Sequence, residues 1–224
     1  MDKYAALKQY FGHSEFRRGQ EQLVDAILSG RDVLGVMPTG GGKSMCYQIP
    51  ALLLPGVTLV VSPLISLMKD QVAALTAAGV PAAFLNSSLS GEELRAVYSQ
   101  AHRGSYKLLY IAPERLEGEG FAALTRQVSI SLLAVDEAHC ISQWGQDFRP
   151  SYRKIAGFVA RLPRRPVVAA FTATATGQVQ EDIIRLLELR DPVREVTGFD
   201  RPNLFFDVRR PKNKMNALSQ LIRE

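Results

Sequence analysis

The stretch that most constrains this chain is Val33-Leu34-Gly35-Val36-Met37-Pro38-Thr39-Gly40-Gly41-Gly42-Lys43-Ser44. An apolar run ends in a glycine-rich turn, the turn ends in Lys-Ser, and Met45 to Leu54 reads as a helix. Strand, glycine loop, Lys-Ser and helix, in that order, form a phosphate cradle. Glycines let successive backbone N–H groups point inward without Cβ clashes. Those groups and the helix N-terminus suit an anion. Lys43 adds a full positive charge for the terminal phosphates, and the Ser44 hydroxyl is a ligand for Mg²⁺. The pattern GxxxxGK[ST] has Met37 in place of its first glycine, so Thr39, Gly40, Gly41 and Gly42 must make the turn.

Composition narrows the class further. With 224 residues, one large domain is the prior, and 46% hydrophobic residues can bury a substantial core. A net charge of +5 favours a polyanionic partner. Cys46 and Cys140 have no metal-ligand spacing between them, so reduced thiols are expected. Met1 to Tyr4 begins no apolar signal segment, and no apolar run is long enough to span a bilayer.

Tyr4 to Tyr10 and Glu21 to Leu28 read as helices around a loop, Phe11 to Gln20. Further along, Val57–Val61, Ala82–Leu85, Lys107–Ile111, Ser131–Val135, Val167–Phe171 and Val193–Val196 read as strands. Helices are expected at Leu64 to Ala78, Glu92 to His102 and Val179 to Leu189. Buried strands alternating with helices imply an α/β fold with a mostly parallel sheet covered on both faces. Ligands on such a sheet sit at the carboxyl ends of the strands. The phosphate loop, Ser62-Pro63, Ala112-Pro113, Asp136-Glu137 and Thr172-Ala173-Thr174 all follow strands, so they should share one rim.

Asp136 and Glu137 end an apolar strand. A carboxylate there can hold Mg²⁺ opposite Ser44, and the next can orient or deprotonate a water. Asp136 is assigned to the metal and Glu137 to the water, with Lys43 completing the catalytic set. Thr172 and Thr174 offer two hydroxyls around a small residue, either as a relay from the γ-phosphate or as a plain strand-end cap. A zinc site at His139 and Cys140 lacks a second ligand pair.

These motifs together resemble the first RecA-like domain of RecQ-family DNA helicases, in helicase superfamily 2. The likeness runs from about Leu7 to Asn203. It rests on Phe16-Arg17-x-Gly19-Gln20, the phosphate loop, Asp136-Glu137-Ala138-His139-Cys140-Ile141-Ser142-Gln143-Trp144-Gly145, and Phe199-Asp200-Arg201-Pro202-Asn203. A missing first glycine is normal in that superfamily. The resemblance implies an ATP- and Mg²⁺-dependent motor that moves 3′ to 5′ on single-stranded and partly duplex DNA in repair and recombination.

Residue by residue, it assigns His13, Phe16, Arg17 and Gln20 to adenine recognition. The Gln20 amide carries both the donor and the acceptor that an adenine edge needs, and Arg17 can stack on the base or reach a phosphate. The family commonly has Tyr where this chain has His13, which stacks over less area. Phe11 and Phe16 are equally candidates for core packing. Trp144, Phe148 and Arg149 fall in the family's aromatic-rich loop, which links DNA binding to hydrolysis. Trp144 and Phe148 can stack on bases, or be ordinary core residues. Gln146 stands where His is frequent. Ser62, Pro63, Leu64 and Arg115 resemble motifs that track single strands through phosphates. Six basic residues and no acidic one lie from Arg149 to Arg165, either a DNA-facing patch or a solvated helix face.

The expected organisation is a RecA-like ATP-binding domain over 1–203, with its nucleotide-recognition loop at 11–20. Residues 204–224 are expected to be a linker and the start of a second RecA-like domain absent from this chain. A monomer in the bacterial cytoplasm or nucleoid, off the membrane, completes the expectation. A nucleotide-regulated DNA-binding or adaptor module without productive catalysis is the rival.

Overall fold

The computed structural model describes residues 1–198, 207–208 and 210–223. The Phe199–Asn203 motif therefore lies outside the described residues. Two short helices, α1 (Lys3–Phe11) and α2 (Gln20–Leu28), lead into β1 (Val33–Val36). The chain then alternates through α3 (Met45–Leu53), β2 (Val57–Val61), α4 (Ile65–Ala77), β3 (Ala82–Leu85), α5 (Gly91–His102) and β4 (Leu108–Ile111). It continues through α6 (Glu119–Gln127), β5 (Ile130–Val135), α7 (Lys154–Ala160), β6 (Val167–Thr172), α8 (Gly177–Leu186), β7 (Val193–Val196) and α9 (Lys214–Arg223).

Seven strands form one sheet in the order β3-β4-β2-β5-β6-β1-β7. Every pairing is parallel. Side chains alternate across the pleat, so each strand feeds two cores. Leu133 and Val135 of β5 join one cluster with Leu59 and Phe121, while Leu132 and Ala134 join another with Val60 and Tyr110. Helices cover both faces because neither can be left to water. The expected α/β architecture is the one observed.

α6 and α9 have no counterpart among the expected helices, and α7 is expected only as one reading of its stretch, a solvated helix face. α6 carries Gly118 as its cap and Gly120 inside it, which reads as a loop, yet Phe121 and Leu124 are buried. α7 occupies the basic stretch and buries Ile155 and Phe158. The predicted helix at Val179 to Leu189 runs instead over Gly177–Leu186, with the Thr176 side chain accepting the Val179 N–H at its start. Glu188, at φ 54°, takes the left-handed turn that ends it.

Register fixes the rim. Val36 pairs with Thr172, Val61 with both Ile111 and Val135, and Val135 with Ala170. The loops after β1, β2, β4, β5 and β6 therefore emerge along one edge. The opposite edge is held by Asp32, which is 3% exposed. Its carboxylate accepts two guanidinium N–H groups of Arg165 at 3.1 and 2.6 Å, Val168 N–H at 2.9 Å and Arg190 N–H at 2.7 Å. Arg165 is thus spent on the fold's base, far from the rim.

Candidate functional site

The phosphate loop begins where β1 ends. Met37 N–H still donates to Thr172 O at 3.0 Å, and the chain then turns through Gly41 N–H to Pro38 O at 2.9 Å. Gly42 needs to be glycine on two counts: its φ is +77°, and a Cβ would lie 2.3 Å from Gln20 Nε2. Lys43 Nζ folds back to donate to Met37 O at 3.2 Å. Ser44 stands immediately before α3, whose first turn closes by Met45 N–H to Gly42 O.

The loop between α1 and α2 is clamped onto this turn. Gln20 is 3% exposed. Its carbonyl accepts Arg17 N–H at 2.8 Å, and its amide donates to Gly42 O at 3.1 Å and Gly41 O at 3.3 Å. Arg17 donates a guanidinium N–H to Gly40 O at 2.5 Å. Phe16 packs partly buried with Tyr4 at 5.6 Å and against the α1–α3 cluster, while His13 is exposed. Phe11 is also partly buried against that cluster. The sequence-marked residues Arg17, Gln20 and Gly40–Gly42 are therefore one bonded unit, with Thr39 exposed at its tip.

Asp136 and Glu137 follow β5. One strand, β6, separates β5 from β1. Two strand spacings put the two loops about 10 Å apart, the order of length that a triphosphate with its cation spans. Lys43 acts electrostatically on both carboxylates, lowering the proton affinity of each. Asp136 is nonetheless pushed up to about 6, first by burial and then by the charge of Glu137. Its Oδ1 accepts Glu137 N–H at 3.0 Å. Glu137 sits at φ 47°, an unusual conformation for a side chain of its kind and one that clusters at functional sites.

His139 is the hub. Its Nδ1 lies 2.8 Å from Thr172 Oγ1 and 3.3 Å from Glu137 Oε2. The Cys140 sulfur at 3.9 Å and the Glu137 carboxylate raise His139 to about 9, so it is protonated at neutral pH. The same contact holds Glu137 below its ordinary value, against the opposing effect of burial. Thr172 Oγ1 passes the chain on by donating to Thr174 O at 3.2 Å. Thr172 and Thr174 are thus tied to the carboxylate pair through His139.

Among the described residues no group of three His, Cys, Asp or Glu could enclose a metal. Mg²⁺ asks for less, one or two carboxylates with phosphate and water supplying the rest. The buried Asp136 carboxylate and the Ser44 hydroxyl, each in the segment that follows a rim strand, are donors of that kind.

The segment that follows His139 leaves the core after Ser142. Trp144 is 76% exposed, so it is not a core residue. Phe148 is half-buried, with the Arg153 guanidinium 5.3 Å from its ring centre. Arg149 pairs with Asp147 at 2.8 Å and donates to Pro63 O at 2.9 Å, which joins this loop to the loop after β2. Arg115 donates to Asn86 O at 3.2 Å, and Leu64 is 45% exposed. Ser62 is buried and its Oγ is the one buried side-chain oxygen or nitrogen without a partner among the described residues. Tyr152 and Asp182 were not marked in sequence. Tyr152, fully buried, donates its hydroxyl to Asp136 O at 2.8 Å and so braces the strand end. Nothing in their local pattern sets them apart, since their partners are distant in the chain.

Comparison with known proteins agrees with this geometry. The signature described as "DEAD/DEAH box helicase" matches residues 17–183. "ATP-dependent DNA helicase RecQ" of Bacillus subtilis is 47% identical over 217 residues, covering 96% of this chain and 37% of that protein. The protein of the same description from Haemophilus influenzae is 46% identical, covering 97% and 35%. The chain thus spans little more than a third of the length of these relatives. Among solved structures, "hypothetical ATP-dependent RNA helicase from Sulfolobus tokodaii" superposes with a TM-score of 0.66 at 18% identity over 86% of this chain and 56% of that one, a likeness of fold.

Proposed function

The chain belongs to the DEAD/DEAH box helicases, in their RecQ group, and from that premise we propose that it is the ATP-binding motor half of a 3′-to-5′ DNA helicase. The observation that carries the proposal is the shared rim. Lys43-Ser44 and Asp136-Glu137 flank β6, and the Lys43 charge is felt at both carboxylates.

In this reading the backbone N–H groups of Gly40, Gly42 and Lys43 hold the phosphates. Gln20, whose amide is bonded to Arg17 N–H, Gly41 O and Gly42 O rather than open to an adenine edge as expected, must exchange those bonds to take the base. His13 and Phe16 supply stacking area beside them. Ser44 and Asp136 would hold Mg²⁺, which supplies charge neutralisation on the phosphates when bound. Glu137, kept ionised by His139, orients the attacking water and takes its proton. His139 then carries the change in Glu137 to Thr172 and Thr174. Pro63, Leu64 and Arg115 contact the DNA backbone, with Ser62 buried beneath them rather than on the surface as expected, while Trp144 and Phe148 stack on bases and Arg149 holds their loop to Pro63. A second RecA-like domain, as partner, would supply the far wall of the cleft, and the bacterial cytoplasm or nucleoid is its place of work. No helix among the described residues is long and apolar enough to cross a membrane.

The test is ATP hydrolysis by this chain with and without single-stranded DNA, in wild type, Lys43→Ala and Glu137→Gln. Slow hydrolysis that DNA stimulates and both substitutions abolish is expected. Nucleotide binding with no DNA-stimulated, Lys43-dependent turnover would instead make the chain a binding or adaptor module. Vigorous duplex unwinding by this chain alone would overturn the division of labour with a second domain.

A further inference from the structure

Asp182 is a buried carboxylate that the chemistry above does not use. It lies on α8, its side chain is 8% exposed, and its Oδ2 accepts the Ser142 hydroxyl at 2.7 Å. Ser142 is fully buried, and its Oγ in turn accepts Trp144 N–H at 3.1 Å. One hydroxyl thus fastens the base of the Trp144 loop to α8. The other Asp182 oxygen pairs with Arg185 at 2.7 Å, and the Arg185 side chain is 68% exposed.

The same two segments are joined a second time. His139 Nδ1 meets Thr172 Oγ1 at 2.8 Å, and Thr172 leads through Thr174 to Thr176, the cap of α8. The path from His139 to Ser142, across to Asp182, back along α8 and through Thr176 to Thr172 is therefore a closed ring. Trp144, Gly145 and Gln146 form one wall of a cleft of about 370 Å³, and Thr174, Ala175, Thr176 and Val179 form the other. Gly145 leaves no slack in this wall, because a Cβ there would lie 2.2 Å from His139 O.

We infer that Asp182 is a positioning residue: through Ser142 it fixes the Trp144 loop to α8, so that the Thr172–Thr176 segment and the exposed tryptophan move as one body. A helix is stiff along its axis, so a displacement at Thr176 reaches Asp182 with little loss. Without the carboxylate, Ser142 loses its acceptor on α8, and the Trp144 loop keeps only its own backbone bonds, the His139–Thr172 contact and its Arg149 end. What Trp144 does for DNA rests on the motor proposal; how Trp144 is held does not.

Trp144 is the sole tryptophan of the chain, so intrinsic fluorescence reads this loop alone. In the free chain, Asp182→Ala and Ser142→Ala should each lower the anisotropy of Trp144. The double variant should go no lower than Ser142→Ala, which already removes the Asp182 contact together with the acceptor of Trp144 N–H. Asp182→Asn keeps an acceptor oxygen and should recover most of the signal, which also covers failure of Asp182→Ala to fold. Arg185→Ala should match wild type. Titrated with an oligothymidylate, Asp182→Ala should bind roughly two- to tenfold more weakly, the net contribution of one hydrogen bond. Its dependence on salt should be unchanged, because no phosphate contact is lost. Unaltered anisotropy in Asp182→Ala would sink the inference. So would tighter DNA binding, the result expected if Asp182 were only a negative charge near a polyanion. Failure of wild type to bind DNA would count against the motor proposal, and the anisotropies of the free chain would still decide the role of Asp182.

Discussion

Replacing Asp136 by Asn should make the free protein more stable. The carboxyl is 8% exposed and rises from its ordinary 3.8 to about 6, because burial and the neighbouring Glu137 both oppose its charge. Raising a pKa from 3.8 to about 6 at ~1.36 kcal/mol per tenfold change in proton affinity makes the ionised form cost about 3 kcal/mol at pH 7. Asn removes that charge and keeps an oxygen for Glu137 N–H, now 3.0 Å from Oδ1. Loss of the attraction to Lys43 and His139 is already counted in the raised value, so about 3 kcal/mol is the ceiling of the gain.

The sign follows from proton binding. Between pH 3.8 and about 6 the native Asp136 holds a proton that the unfolded chain has released. Wild-type stability therefore loses this contribution as pH rises across that window. The Asn variant lacks the slope. Urea unfolding followed by far-UV circular dichroism, in EDTA and without nucleotide, should show the variant ahead by up to about 3 kcal/mol at pH 7. The two should converge near pH 4. A variant no more stable than wild type at pH 7, or ahead by the same margin at both pH values, would refute the reasoning. A gain would also say what the fold gives up in stability to keep a carboxylate at this strand end.

Asp32→Ala should have the opposite sign. It strands Arg165 and two backbone N–H groups at the base of the sheet, and chemical denaturation should show a loss of about 3–5 kcal/mol. Gly145→Ala should act locally, since its Cβ meets a backbone oxygen at 2.2 Å. A shifted Trp144 emission spectrum is expected with a stability loss of about 1–3 kcal/mol.

Much of the architecture can be read along the chain because its signals are local. A β-branched run such as Val57–Val61 states its own burial, and the glycines before Lys43-Ser44 state a tight turn. Parallel pairing follows from alternation, and with it the rim. α6 escaped notice because Gly118 and Gly120 mask an apolar pair, Phe121 and Leu124, that finds its partners only in the folded core. Sequence likewise left Trp144 and Phe148 open between core and surface, and only packing could choose.

The primary structure by itself marked which residues are candidates for chemistry and that they would share an edge, since strand ends and residue types are properties of short windows. The tertiary structure alone decided how those residues are held. Gln20 turns onto Gly42, His139 joins Glu137 to Thr172, and Asp182 reaches Ser142 from 40 positions away. A hydrogen bond acts over about 3 Å, and which side chains come that close is set by the strand order of the sheet rather than by any order along the chain.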